Sequence, residues 1–312
     1  MPPRPATARR GTGPAVPQAR AQVPAEVGPG PVDLAEVEPG PVVRWRLDLA
    51  YDGSGFRGFA VQDGVPTVAG ALARALQRVA RTEGPIPVTC AGRTDAGVHA
   101  RAQVVHVDLP APALGAGPPG APPDLDPERL VRSLNRQLAP AIVVRSASVA
   151  PAGFDARRSA VSRAYRYLVW NAPVPDPLLA PVAWHVEPAL DLRAMAAATD
   201  VLIGEHDFRA FCRRAPGTGR HEPIPRVVTR AEWSVVPSAA ADAGGGRLLR
   251  LDIEAGSFCH QMVRSLVGCL VDVGRGRGNA ATTLSLLRAG ERSSRTAPAP
   301  ALGLCLVAVR YP

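Results

Sequence analysis

Short stretches in which every second residue is apolar recur along this chain, and they restrict its fold more than any other feature. Residues 44–51, RWRLDLAY, have this pattern, which is typical of a β-strand with one buried face. From Thr67 onward, apolar residues instead recur every three or four positions, as in an amphipathic helix. The predicted strands are 44–51, 88–90, 103–109, 141–149, 164–170, 227–236, 248–255 and 304–311, and the predicted helices start at Thr67 and cover 128–138, 191–202 and 258–273. Helices between pairs of strands in both halves predict an α+β protein with two related subdomains.

The chain divides into a tail and these two subdomains. Residues 1–43 contain ten prolines and no aromatic residue, which is too little apolar surface to order a segment by itself, so we predict a disordered Pro/Ala/Gly-rich tail. The N-terminal subdomain is predicted at 44–150 and the C-terminal one at 151–312. A second Pro-rich stretch, 110–127, is predicted to be a surface loop.

The basic residues exclude several kinds of chemistry. All 36 are arginine, against 27 acidic residues, which gives a net charge of +9. Without lysine, the chain has no Schiff-base lysine for a carbonyl substrate or for pyridoxal phosphate, no phosphate-loop lysine and no lysine general base. The excess of positive charge points to nucleic acid or another polyanion as partner.

Cysteine and histidine spacing argues against metal binding. The cysteines are Cys90, Cys212, Cys259, Cys269 and Cys305. Their odd number and scattered positions predict reduced thiols in a cytoplasmic protein. The chain contains no C-x-x-C, H-x-x-x-H or H-E-x-x-H motif, so we expect no zinc site. No apolar run is long enough to span a membrane, and no apolar region follows the first arginines as it would in a secretory signal.

One segment between two predicted strands concentrates chemically active residues. Residues 91–100 read AGRTDAGVHA, with two glycines, an arginine, an aspartate and a histidine. Arg93 precedes Asp95 by two positions, so the guanidinium could lie near the carboxylate and orient it. An oriented, ionised carboxylate is a candidate nucleophile or base. The alternative is a turn in which Asp95 caps the backbone and forms a surface ion pair.

Two further stretches are candidates for a binding surface. In residues 163–167, RAYRY, Arg163, Tyr165 and Tyr167 share one face of a strand. Arginine binds phosphate and tyrosine stacks on bases, so this face would suit RNA, although both tyrosines could equally belong to the core. In residues 258–264, His260 and Arg264 are predicted on one helix face, where the arginine needs an anionic partner and the histidine is more simply structural.

These segments together resemble a known family, the TruA-type tRNA pseudouridine synthases. The resemblance covers the chain from about residue 44 to 311, and its most specific element is AGRTDAGVHA. The supporting elements are YDGSGFRGF at 51–59, FDARRSA at 154–160, RAYRYLVWN at 163–171, GEHDFRAF at 204–211 and HQMVRSLVG at 260–268. The resemblance implies two ferredoxin-like (RRM-like) subdomains whose antiparallel sheets join around a central basic cleft. It also implies isomerisation of uridine to pseudouridine at positions 38–40 of the anticodon arm of tRNA, by a cytoplasmic homodimer without cofactor or metal.

The resemblance also assigns roles to single residues. Asp95 would be the catalytic carboxylate, and Tyr165 would stack on the target base. Arg93 would help to open the stem and take the space of the flipped-out base, and Arg264 would pair with Asp95. The family often has other residues at Phe59, Ala60, Ala69 and Asp155, which affects the expected tRNA contacts and not the catalytic loop.

Two other functions remain to be weighed against this one. A non-catalytic RNA-binding protein on the same scaffold is the main alternative, but such a protein gains nothing from a carboxylate that faces phosphate. A hydrolase acting on a glycosidic bond usually needs a pair of acids, and no second acid has a setting comparable to that of Asp95.

Overall fold

The computed structural model describes residues 42–110, 126–214, 217, 219 and 222–312. The predicted tail before residue 42 and most of the predicted loop at 110–127 lie outside these residues. The strands are β1 Val42–Tyr51, β2 Thr89–Cys90, β3 His99–Pro110, β4 Ile142–Val149, β5 Ser162–Asn171, β6 Trp184–Val186, β7 Gly204–Asp207, β8 Pro225–Val236, β9 Arg247–Ala255 and β10 Leu304–Arg310. The helices are α1 Val68–Ala80, α2 Pro127–Leu138, α3 Leu192–Asp200, α4 Ala239–Gly244, α5 Met262–Gly274 and α6 Ala280–Ala289.

Local capping explains where the principal helices begin. The Thr67 hydroxyl accepts a hydrogen bond from the amide of Gly70 at the start of α1. Asp126 does the same for α2, where a proline occupies the first turn, and Asp191 does so for α3. Each of these side chains satisfies a backbone donor that has no partner within its helix. The predicted starts of these helices are therefore confirmed to within a residue or so.

The strands form one large, mostly antiparallel sheet. Its order is β4-β1-β3-β10-β5-β9-β8-β7, with β2 on β3 and β6 on β5. The two halves of the chain meet where β10 runs parallel to the start of β3, with Cys305 opposite His99 and Leu306 opposite Ala100. The described residues belong to one unit, Gly40–Pro312.

The main core lies between the sheet and the helices. It combines alternate residues of the strands, such as Trp45 and Leu47, with the apolar faces of α1 and α5, such as Leu72 and Leu270, all fully buried. This confirms the predicted alternation in residues 44–51, and it confirms the mixed α and β class.

Several elements differ from the predicted ones. The short β6, β7 and α4 were not predicted, because short segments carry little periodic signal. The ten-residue helix α6 was not predicted either. Helix α5 begins at Met262 and not at Phe258, because Gln261 has the left-handed φ of 65° that ends the preceding turn. His260 therefore precedes the helix and does not share a helical face with Arg264.

Within the described residues, no helix is both long enough and apolar enough to cross a membrane.

Candidate active site

The AGRTDAGVHA segment forms the connection from β2 to β3, at the centre of the sheet. It leaves β2 after Cys90 and enters β3 at His99. There β3 pairs with β10, and the next strand, β5, places Tyr165 opposite Leu306. The segment 91–98, here called the Asp95 loop, thus lies where residues of both halves of the chain converge.

Hydrogen bonds from buried residues hold the Asp95 loop in place. The Tyr51 hydroxyl lies 2.8 Å from Oγ1 of Thr94, and Nε2 of Gln103 donates to the Gly92 carbonyl at 2.7 Å. The Phe59 amide donates to the Thr94 carbonyl at 3.0 Å. Because these groups are shielded from water, the loop has little freedom to move.

A second loop packs directly against the Asp95 loop. Gly53 lies so close that an added Cβ would be 2.0 Å from the Val98 carbonyl oxygen. Only glycine fits at this position, which explains the first glycine of the Asp-Gly-Ser-Gly turn that follows β1. Phe59, one of the departures from the usual family pattern, is 2% exposed and packs in the core.

Two side chains from the second half of the chain, those of Arg264 and His260, contact the Asp95 carboxylate. Its Oδ2 lies 3.0 Å from Nη1 of Arg264, and its Oδ1 lies 3.4 Å from Nε2 of His260. The Asp95 side chain keeps 21% of its surface exposed. Arg264 is itself fixed, because its Nε donates to the Ala299 carbonyl at 2.7 Å. The carboxylate is therefore oriented but remains accessible.

These contacts correct two expectations. Among the described residues, the ion-pair partner of Asp95 is Arg264 and not Arg93, whose side chain is exposed. Arg93 lies two positions before Asp95 in the sequence, but it is exposed and forms no ion pair with that carboxylate. His260 contacts Asp95, whereas sequence reasoning treated it as structural. The only indication in the sequence that His260 belongs to the site was its position four residues before Arg264.

Tyr165 lies beside the Asp95 loop. It is 7% exposed, and its hydroxyl would be 3.6 Å from a Cβ placed on Gly92. Burial, followed by the charge of Asp95, raises the pKa of its phenol well above the ordinary value. The hydroxyl therefore stays protonated at neutral pH. Phe258 packs edge-on against its ring, with 5.2 Å between ring centroids and an interplanar angle of 88°.

Arg163 has a different role from the predicted phosphate contact. It is 8% exposed, and its guanidinium donates to four backbone carbonyls, those of Ala91, Arg157, Ala160 and Gly256. The predicted RNA-binding use of this residue is wrong, because all of its donors are turned inward. Instead, Arg163 ties the start of the Asp95 loop to the segment before β5 and to the residue that follows β9. Tyr167 belongs to the core, with its hydroxyl on the Pro300 carbonyl at 2.7 Å.

Exposed arginines surround the Asp95 loop. Arg93 lies within it, Arg157 contributes its carbonyl to Arg163 beside Ala91, and the Arg213 amide donates to the His260 carbonyl at 2.8 Å. Within the part of the chain that the structure describes, the side chains of these three arginines have no carboxylate partner. Positive charge at this site is therefore available to an anionic ligand.

Two cysteines form a disulfide next to this site. Cys212 and Cys259 are bonded, with 5.7 Å between their Cα atoms, while Cys90, Cys269 and Cys305 are free. The prediction of reduced thiols is thus wrong for this pair. The two cysteines are 47 positions apart, and only the packing of the turn after β7 against the approach to α5 brings them together.

Among the described residues, no group of three or more His, Cys, Asp or Glu side chains is placed so that it could hold a metal ion.

Comparison with known proteins places the chain in a family. Residues 198–312 match the family described as tRNA pseudouridine synthase. The tRNA pseudouridine synthase A of Frankia casuarinae is 44% identical over 276 residues, which cover 87% of this chain and 90% of that protein. The proteins of the same name from Mycobacterium leprae and Methylacidiphilum infernorum are 44% and 38% identical, and cover 86% and 87% of this chain and 90% and 96% of those proteins. The chain therefore belongs to the tRNA pseudouridine synthases.

A likeness to solved structures is much weaker. A chain in the crystal structure of a Cbf5–Nop10–Gar1 complex is 14% identical, with a TM-score of 0.31, over 74% of this chain and 45% of that one. A similarity this low supports no statement about the present fold.

Proposed function

We propose that this protein isomerises uridine to pseudouridine at positions 38–40 of the anticodon arm of tRNA, with Asp95 as the catalytic carboxylate. Membership of the tRNA pseudouridine synthases establishes the class, an isomerase that acts on tRNA. The observation that carries the assignment of the site is the Asp95 carboxylate, which is oriented by Arg264 and partly exposed, in a loop beside which Tyr165 lies.

The reaction requires little more than one oriented carboxylate. The bond from C1′ of the ribose to N1 of uracil breaks, and a bond from C1′ to C5 forms. The proton lost from C5 is balanced by the one gained at N1, so no atom enters or leaves overall. A carboxylate that attacks the sugar or the base gives a covalent intermediate and divides this rearrangement into easier steps. Arg264, whose Nη1 lies 3.0 Å from Oδ2 of Asp95, holds the carboxylate in a fixed orientation.

Tyr165 is proposed to bind the uracil ring. A base inside a duplex stem must leave the stack to reach Asp95, which costs a few kcal/mol. An aromatic face next to the carboxylate compensates for part of this cost by stacking. The phenol is protonated at neutral pH, so it is assigned no role as a base. Arg93, exposed in the same loop, is proposed to fill the position that the flipped base leaves.

The remaining RNA is proposed to lie in a basic cleft around the Asp95 loop. Arg157 and Arg213 there carry charges that are not neutralised by any described carboxylate. We further propose that the protein is a homodimer in which one tRNA contacts both subunits, and that it acts in the cytoplasm.

We also infer that the two halves, 44–150 and 151–312, are ferredoxin-like subdomains. The order β4-β1-β3-β2 in the first half supports this, with α1 and α2 as connections. The order β10-β5-β9-β8 in the second half supports it too, with α3 and α5 in the equivalent places. Such an alternation of strands and helices is the βαββαβ pattern.

The experiment is to incubate the protein with unmodified tRNA transcripts and map pseudouridine at each position. We expect modification at positions 38–40 without an added cofactor. Binding of tRNA without any pseudouridine would favour the alternative, a non-catalytic RNA-binding protein. Modification confined to other positions would contradict the proposed target.

A further inference from the structure

The segment 258–261 contacts two residues of the candidate site. Phe258 packs edge-on against Tyr165, and Nε2 of His260 lies 3.4 Å from Oδ1 of Asp95. Cys259 lies between these two residues in sequence. Whatever fixes Cys259 therefore also fixes the groups that contact the proposed nucleophile and the proposed stacking ring.

The disulfide to Cys212 is such a constraint. Cys212 is fully buried and follows the 3₁₀ turn Arg209–Phe211, whose Phe211 is also fully buried. The next residue, Arg213, donates its amide to the His260 carbonyl at 2.8 Å. The disulfide thus joins Cys212 to Cys259, and the hydrogen bond joins the next residue of each segment, Arg213 and His260.

Besides the disulfide, two backbone hydrogen bonds hold this segment: the Arg213 amide donates to the His260 carbonyl at 2.8 Å, and the Met262 amide donates to the Cys259 carbonyl at 3.1 Å. His260 is half-exposed, and α5 begins only at Met262, after Gln261 with its positive φ. The segment is thus a short non-helical connection. Residues in such connections move more readily than those in helices or strands.

We propose that Cys212 and Cys259 are positioning residues, and that their disulfide holds Phe258 and His260 against Tyr165 and Asp95 and so makes isomerisation sensitive to redox state. This inference rests on the proposed function of the Asp95 loop. Oxidation forms the S–S bond, and two protons and two electrons pass to a small-molecule disulfide such as oxidised glutathione, which becomes two thiols. A dithiol reductant reverses the step.

The two cysteines differ in burial, since Cys212 is fully buried and Cys259 is half-buried. An attacking thiolate is therefore expected to react at Cys259. The other three thiols are less suited to this chemistry. Burial raises the pKa of Cys90 to about 11 and also raises the pKa of Cys269 and Cys305.

The test compares the full-length protein equilibrated with oxidised glutathione and with dithiothreitol. Thiols are counted after denaturation, and kcat and KM for a tRNA transcript are measured on each form. We expect three free thiols in the oxidised form and five in the reduced form. We expect kcat to be about fivefold higher in the oxidised form, equivalent to about 1 kcal/mol in the barrier. KM should change less than kcat, because Phe258 and His260 contact Tyr165 and Asp95, the two residues proposed to act on the reacting base.

Variants separate positioning from simple stabilisation. Cys212→Ser, Cys259→Ser and the double variant should have the lower kcat in both buffers. Cys305→Ser, which changes a free cysteine on β10, should respond to redox state as the unmodified protein does. His260→Gln should lower kcat and reduce the redox response, since the disulfide would then have one fewer group to position.

Clear results would overturn the inference. Five thiols after equilibration with oxidised glutathione would show that the bond does not form. A disulfide that raises the melting temperature but leaves kcat unchanged would show a purely structural link. An active enzyme that ignores redox state would refute this inference alone, whereas no pseudouridine from either form would refute the proposed function as well.

Discussion

Nη1 of Arg264 lies 3.0 Å from Oδ2 of Asp95, although the two residues are 169 positions apart in the sequence. The contact joins the helix α5 to the loop between β2 and β3, and thus links the two halves of the chain at the centre of the sheet. Both side chains are largely screened from solvent, with 15% and 21% of their surface exposed. Loss of either partner leaves the other charge poorly compensated.

Asp95→Asn tests the carboxylate while nearly preserving its shape. We expect pseudouridine formation to fall by at least about a hundredfold, the low end of what a positioned acid or base contributes. Affinity for tRNA should be retained or increase, because a negative charge near phosphate is removed. Single-turnover assays and filter binding on the same preparation measure both quantities.

A matched control for that substitution is Asp191→Asn. Asp191 caps α3, and asparagine is an equally good N-cap, so its activity and stability should stay close to the unmodified protein. If Asp95 only capped a turn, Asp95→Asn would cost roughly 1 kcal/mol of stability and leave most of the activity. That result would remove the catalytic assignment.

Arg264→Gln tests the orientation of the carboxylate. We expect a lower kcat with little change in tRNA affinity, and a loss of about 1.5–3 kcal/mol in the free energy of unfolding, as for other hydrogen bonds to charged groups. Arg264→Lys keeps the charge but not the fork that reaches both Asp95 and the Ala299 carbonyl, so it should rescue activity only in part.

The control for the arginine variants is Arg166→Gln. Arg166 also pairs with an aspartate, Asp252, at 2.8 Å, but the register of β5 puts it on the opposite face from Tyr165. The Arg166→Gln substitution should change the stability of the protein without changing kcat. Equal losses of kcat in both variants would mean that Arg264 acts through general stability.

Tyr165→Phe should retain most activity, whereas Tyr165→Leu should lose it. Stacking on a base contributes about 1–3 kcal/mol, so removal of the ring should slow turnover by about 5- to 150-fold. Leucine is chosen in place of alanine because truncation of a buried aromatic ring to alanine can cost about 3–5 kcal/mol of stability. Pseudouridine formation and thermal unfolding are measured for each variant.

Tyr167→Phe provides the control for the ring, since it removes only the hydrogen bond to the Pro300 carbonyl. It should cost about 1 kcal/mol of stability and leave turnover unchanged. Should Tyr165→Phe be as inactive as Tyr165→Leu in folded protein, the hydroxyl would take part in the chemistry and stacking would not be its main role.

Binding of tRNA should weaken steeply with salt, since arginine–phosphate contacts release counterions. Arg157→Ala and Arg213→Ala should each lower affinity and reduce the slope of log affinity against log salt by about 1. Arg132→Ala is the control, because that guanidinium already pairs with Asp126 and Glu128 on α2. A flat salt response of the unmodified protein would argue against a polyanionic substrate bound by these arginines.

Removal of residues 1–41 should leave tRNA modification within about tenfold of the full chain, a change of about 1.4 kcal/mol or less in the barrier. The deletion stops at 41 and not at 43, because Val42 and Val43 pair with Pro110 and Leu109 in the sheet. A larger loss with intact folding would assign the tail an active part in catalysis or binding.

The sequence by itself determined the elements that depend on local periodicity and capping. Alternation predicted β1 and β5, and Asp191 predicted the start of α3, because side-chain period and caps act over a few neighbouring residues. The Asp95 loop was recognised for the same reason, since its glycines, arginine and aspartate lie within one short stretch of the sequence. The lysine-free composition excluded lysine chemistry without any structure.

Only the tertiary structure decided which groups meet across the sheet. It added His260 to Arg264 as a partner of Asp95, turned Arg163 inward to four carbonyls and joined Cys212 to Cys259. The sequence pattern placed Arg163 correctly on the face of Tyr165, but it could not show that backbone carbonyls would occupy its donors. Contacts between residues so far apart depend on strand order and helix placement, which are fixed by the packing of the whole core and leave no local signal in the chain.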